Sequence, residues 1–263
     1  MEGALASPAF WVFSQARILA FMLVLTRLGG MMATLPGFGQ ARLSLQVRVI
    51  TVVVLALVLT PTVPRPPADL DGMWTLTAVM ATELAAGLIL GLSVAWIVEM
   101  VAFAGQLMDT QMGFSFVQFL DPVTARPASI SGALLSQLVL VLLLVSGLHH
   151  QMIRAFVESY RLLPVGQAVS VDPQLVIAKV GMILVRGFQL SFPVLFALFL
   201  IDFVAGISGK FMPQLQLITL TFPLKIAFGL IILGFVIREF GPWLGPFLTD
   251  APREALRLLV AHG

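Results

Sequence analysis

Nine charged side chains stand inside runs of apolar residues long enough to cross a bilayer: Arg17, Arg27, Arg48, Glu83, Glu99, Lys179, Arg186, Asp202 and Lys225. Each costs about 2.5–3.5 kcal/mol at a bilayer centre on insertion scales. Facing lipid, the nine together would cancel much of the hydrophobic gain. Those near the ends of a run can reach back to the interface with their long stems. The others must pair, line a wet path or face a partner chain. The runs are therefore not all simple lipid-facing spans, and much of their apolar surface is expected to pack on other subunits.

The runs follow one another along 263 residues that are 59% hydrophobic and 11% charged, with a mean hydropathy of +1.02. A soluble domain carries about 25% charged residues, so the composition fits an integral membrane chain. The net charge of +2 gives no nucleic-acid surface, and the absence of cysteine excludes disulfides and cysteine-based metal sites. The expected fold is all-α: kinked helical hairpins built from about six long apolar segments, some broken by proline or glycine.

The first segment covers residues 10–33. It is longer than a signal-peptide core, lacks a clear cleavage signature and is expected to stay as a helix. A turn at residues 36–39 leads to a second segment, 43–59, which ends in a proline-rich connector over 60–67. The third, 73–104, is too long for one straight span. On it Gly87, Gly91 and Ala95 recur every fourth residue, a small-residue face that lets another helix approach closely. The fourth, 132–148, carries no charge until His149 and His150 open a polar stretch to Gly166. The fifth, 175–207, contains Pro193, which should kink it. The sixth covers 217–237, and Asp250 with Pro252 marks the start of a short amphipathic tail. With six crossings the positive-inside rule favours both termini in the cytoplasm.

Residues 105–122 interrupt this pattern. The stretch is too apolar for a solvated loop and too irregular to continue the helix before it. Non-helical backbone at membrane depth survives only where protein or water satisfies it. Phe114 and Phe116 alternate and Phe119 lies three further on, so neither a helix nor a strand face holds all three, but an irregular loop can converge them. With deformable Met108 and Met112 beside them, such a loop can seal a narrow path and yield to a passing chain. The alternative is a loop that only anchors itself in a core.

Nothing in the chain argues for an enzyme. His149–His150 lacks the HExxH spacing, and Ser146 and Ser159 form no nucleophile elbow. Glu83, Glu99 and Asp202 are either structural ion-pair members or a proton relay. The second choice would suit a stand-alone secondary transporter, although no matching pair of interrupted segments recurs in two halves.

The run Gln111-Met112-Gly113-Phe114-Ser115-Phe116, followed by Asp121-Pro122, resembles the central signature of the FliR family, the export-apparatus subunits of flagellar and virulence type III secretion. Arg27 with Pro36-Gly37-Phe38-Gly39 and Arg42 resembles the family's first hairpin. Gly147 to His150 and Tyr160 to Gly166 resemble its "GH…P-x-G" stretch. Pro213-Gln214 with Phe222-Pro223-Leu224-Lys225 and Gly229 resembles its "PQ…FP…G" stretch. The resemblance covers about residues 10–240, and the central loop leans to the flagellar branch.

This resemblance implies a non-enzymatic core subunit of a protein-export gate in the bacterial inner membrane, at the flagellar basal body. One copy would assemble with FliP and FliQ homologues and associate with FlhB and FlhA homologues. The gate would pass unfolded proteins and need neither cofactor, metal nor nucleic acid. The resemblance also implies a FliP-like part over residues 1–174, a FliQ-like hairpin and tail over 175–263, and a pore plug in the central loop. The plug and gate residues would be Gln106, Met108, Gln111, Met112, Gly113, Phe114, Phe116, Phe119 and Asp121.

Overall fold

The computed structural model describes residues 8–38, 44–64, 72–114, 129–169, 172–211 and 217–259. It contains seven α-helices: α1 Pro8–Thr34, α2 Leu45–Leu59, α3 Met73–Met112, α4 Ile130–Val145, α5 Leu148–Leu162, α6 Pro173–Phe211 and α7 Leu217–Leu259. A 3-10 turn, Thr60–Thr62, follows α2. No strand occurs among the described residues. Among the described residues five helices are long and apolar enough to cross a membrane, or six spans if α4 and α5 count as one broken span.

Short polar residues start several helices. Ser44 caps α2 by accepting from Val47 N, and Ser129 caps α4 by accepting from Gly132 N at 2.8 Å. At α6, Asp172 Oδ1 accepts from Gln174 N at 2.8 Å, with Pro173 in the first helical position. Between α4 and α5 the chain bends by 69°, and Gly147 takes φ +69° there. The fourth segment thus ends three residues earlier than its hydrophobicity predicts, and the polar stretch from His149 is a helix of its own.

Three further expectations change. The third segment does not stop near Ala104. α3 continues to Met112, because Ala104, Met108 and Met112 repeat every fourth residue and all are buried. The first part of the proposed central loop, from Gly105 through Gln106, Met108 and Gln111 to Met112, is therefore helical. Second, α6 reaches beyond the expected 175–207 at both ends, covering Pro173–Phe211 with Pro193 inside it. Third, α7 runs without interruption through Asp250 and Pro252, so the amphipathic tail is its last turns and not a separate element. Phe116, Phe119 and Asp121 lie outside the described residues.

The chain divides into two compact units that interleave in sequence. The first comprises residues 1–95, 147–176 and 249–263, and the second 96–146 and 177–248. In the first, α1 contributes Leu23, Val24, Leu28 and Met31 to the core, α3 contributes Ala86, Leu90 and Val94, and α5 contributes Leu148, Met152, Phe156 and Tyr160. The spacing of three or four is the stripe of a helix with one buried face. In the second, Met108 and Met112 of α3, Leu135 and Val139 of α4, Val194 and Leu198 of α6, and Phe240 and Leu244 of α7 are buried.

Candidate functional site

The small-residue face of α3 meets α1 directly. A Cβ at Gly87 would strike the carbonyl of Arg27, and one at Gly91 would strike the carbonyl of Met31 and the hydroxyl of Thr34. The close approach is mutual: a Cβ at Gly30 would lie 2.6 Å from the carbonyl oxygen of Leu84. Thr34 Oγ1 donates to Leu88 O at 3.2 Å across the same seam. Ala95, the third small residue, is half-buried.

This approach carries Arg27 into the interior. Arg27 and Glu83 are each 1% exposed. Arg27 Nε donates to Glu83 Oε2 at 2.6 Å and Nη2 to Oε1 at 3.0 Å, a two-pronged pairing that fits a planar guanidinium. Nη1 donates to Ser159 Oγ at 3.0 Å, and Nη2 also donates to the carbonyl of Leu163 at 3.1 Å. The Tyr160 ring lies against the guanidinium, 3.8 Å from Cζ to centroid. Leu163 is the C-terminal cap of α5, so the cation sits at the negative end of that helix as well as on its carboxylate. One side chain thus ties α1, α3 and α5. Removing one member of a sealed pair of this kind costs about 3–5 kcal/mol, because the other charge is left without a partner.

A second polar node lies where α3 ends. Asp109, 4% exposed, accepts from Ser129 Oγ at 2.7 Å and from Ser131 N at 3.1 Å. A carboxylate at the first turn of α4 meets backbone N–H groups that have no partner within the helix. Backbone packing supports the contact: a Cβ at Gly105 would run into Gly132. α3 then closes in a left-handed turn, with Gly113 at φ +88°. Phe114 N donates to Asp109 O at 3.0 Å and Gly113 N to Thr110 O at 3.3 Å, the bond pattern of a helix C-terminus ended by glycine.

α7 and α6 meet that same last turn. A Cβ at Gly113 would lie 2.5 Å from the Phe222 ring, and one at Gly229 would lie 2.7 Å from the Met112 side chain. Gln111 Nε2 donates to Asp202 Oδ2 at 3.2 Å, and Lys225 Nζ donates to the same oxygen at 2.8 Å. The Asp202–Lys225 pair is open, with side chains 41% and 17% exposed. It borders a cavity of about 410 Å³ lined by Ala205, Gly206, Gly209, Thr221 and Phe222.

The nine embedded charges therefore divide. Arg27 and Glu83 are sealed together. Asp202 and Lys225 are half-buried and paired. Arg48 and Lys179 are half-buried. Arg17, Glu99 and Arg186 are exposed on this chain, and Arg186 donates to Gln189 Oε1 at 3.1 Å and lies over the Phe247 ring at 5.8 Å. The expectation from sequence was that charges near segment ends reach the interface and the others pair, line a wet path or face a partner chain. Of the nine, only Arg27 and Glu83 are buried on this chain, where α3 closes directly on α1.

Of the residues expected to form a plug, Met108 and Met112 are buried, Gln106 is exposed, and Gln111, Gly113 and Phe114 are half-buried. Sequence reasoning missed Asp109, although an acid four residues past Gly105 in an apolar helix was a visible signal. It also missed that Ser159, Tyr160 and Leu163 would gather round Arg27. The rings of His149 and His150 lie 4.0 Å apart, tilted by 46°. Among the described residues no group of three or more His, Asp or Glu is placed to hold a metal ion.

Comparison with known proteins gives a consistent picture. A family model for bacterial export proteins, family 1, matches residues 18–250. The chain is 30% identical over 220 residues to the flagellar biosynthetic protein FliR of Bacillus subtilis, covering 81% of this chain and 84% of the relative. It is 30% identical over 244 residues to the protein of the same name from Caulobacter vibrioides, covering 90% and 94%. With the Yop proteins translocation protein T of Yersinia pestis it shares 28% identity over 186 residues, covering 68% and 70%.

Proposed function

The chain belongs to the FliR family of bacterial export proteins, and from that membership we propose that it is a core subunit of the gate through which type III secretion passes unfolded proteins. It is a membrane-embedded component of that export apparatus. The gate would lie in the bacterial inner membrane with FliP and FliQ homologues, one copy of this chain per particle, and would associate with FlhB and FlhA homologues.

The observation that carries the reading is the family match over residues 18–250, which takes in both polar nodes. The uncovered apolar surface supports it. Only 11% of the span Leu45–Thr62, and 22% of an apolar 18-residue window within the span Pro173–Gly209, is buried within the chain. Phe188, Phe192, Phe196, Phe199 and Phe203 stand exposed along α6. Exposed Glu99 and Arg186 on these apolar helices disfavour a purely lipid environment and favour neighbouring chains that supply counter-charges. Residues 175–263 would act as the FliQ-like hairpin that meets such neighbours.

The mechanism is steric. Apolar residues of the central stretch, Phe114, Phe116 and Phe119 with the methionines before them, block ions at rest and are pushed aside by an unfolded chain. No bond is made or broken in this chain, and the energy comes from the membrane potential and from other subunits. Of the three carboxylates that the transporter alternative would use, Glu83 and Asp202 are paired with Arg27 and Lys225, and Glu99 stands exposed. Deleting residues 113–119 should leave the particle assembled and make membranes leaky to small ions. Unchanged resting conductance would remove the plug role.

A further inference from the structure

We propose that Asp202 is a positioning residue of the gate, a releasable tether that holds the last turn of α3 against α6 and α7 through Gln111 and Lys225. The inference rests on the gate reading above. Asp202 Oδ2 accepts from Lys225 Nζ at 2.8 Å and from Gln111 Nε2 at 3.2 Å, so one oxygen joins three helices. Gln111 is two residues before Gly113, where the chain leaves α3 at φ +88°. Phe222 against Gly113 and Gly229 against Met112 seat the same turn, but these contacts are apolar and slide. The amide–carboxylate–ammonium chain is, by contrast, directional, and it ties α3 to α6 and α7.

The Arg27–Glu83 and Asp202–Lys225 pairs differ in the property that matters for release. Arg27–Glu83 is sealed at 1% and 1% exposure, suited to a fixed scaffold. Asp202–Lys225 is 41% and 17% exposed and borders an open cavity of about 410 Å³. Water can therefore replace its partners as they separate, and the penalty that locks a sealed pair is absent. Ala205, Gly206 and Gly209 line the cavity with almost no side chain, leaving room for Phe222 to shift when the turn moves. A contact with these features holds the exit of α3 at rest and lets go under load.

The test uses the full chain in its co-expressed particle and reads assembly and resting ion conductance separately. Asp202→Ala and Gln111→Leu should assemble and raise resting conductance several-fold, toward the level of the 113–119 deletion. The exchanged pair Asp202→Lys with Lys225→Asp should return conductance toward the parent value, since the Gln111 carbonyl can accept from the new ammonium. If Asp202→Ala fails to assemble, Gln111→Leu decides, because it leaves the ion pair intact. Single variants that seal like the parent, while the deletion leaks, would overturn the tether and leave the gate reading standing. A deletion that seals as well would remove the plug role, and the tether with it.

Discussion

At the residue scale the chain uses charge in two ways. Arg27 is placed where its five donors meet two carboxylate oxygens, a hydroxyl and the end carbonyl of α5. Lysine cannot replace that fork, since a point charge on a flexible stem has neither its planarity nor its bidentate reach. Arg27→Leu should therefore destabilise the solubilised particle by about 3–5 kcal/mol, and Arg27→Lys should recover only part of the loss. The double replacement Arg27→Leu with Glu83→Leu should be milder than Arg27→Leu alone, because no charge is then stranded. Thermal unfolding midpoints of the purified variants check the order. A double variant less stable than the single one would contradict it. In the sequence, Arg27 and Glu83 were visible as charges in apolar runs, but 56 residues separate them and nothing local pairs them.

At the scale of elements, glycine decides where helices touch. Gly87 and Gly91 bring α3 onto the backbone of α1, whereas Gly29, one residue before Gly30, faces open space. Gly91→Ala should overpack the seam and destabilise by about 1–3 kcal/mol. Gly29→Ala should be neutral or slightly stabilising, since alanine gives up less backbone freedom in a helix. The pair of variants separates close packing from helix propensity in one thermal-shift experiment, and equal effects at both positions would defeat the argument. The every-fourth-residue spacing made this face legible from sequence. The length of α3 was not. Gly105, Gln106 and Gln111 broke the hydrophobic pattern, yet the helix persists because Gly105 is needed for contact with Gly132 and Asp109 is satisfied by α4.

At the scale of the whole molecule, parts of the motif fragments that resemble one family meet in two clusters among the described residues. Arg27 from the first hairpin meets Ser159, Tyr160 and Leu163 from the stretch after the histidines. Met112 and Gly113 from the central signature meet Phe222 and Gly229 from the C-terminal stretch. The fragments are short and weak one at a time because each is only one wall of a contact. Long apolar helices left uncovered, with exposed Arg17, Glu99 and Arg186 among them, make a stable lone subunit a poor expectation. Gentle purification with neighbouring genes co-expressed should yield a large particle holding one copy of this chain with several copies of two smaller apolar proteins. A monodisperse monomer would contradict the gate assembly.

The sequence by itself determined that the chain is helical and made for a membrane, since hydrophobic run length and the scarcity of charge are properties of composition and order alone. It also determined the family, because the motif residues keep their order along the chain. Only the tertiary structure decided which charges are sealed, where α3 ends and which distant fragments meet. Those outcomes depend on how closely helices approach, on the water that approach excludes, and on which polar groups are then left to find partners. None of these is a property of any segment taken alone.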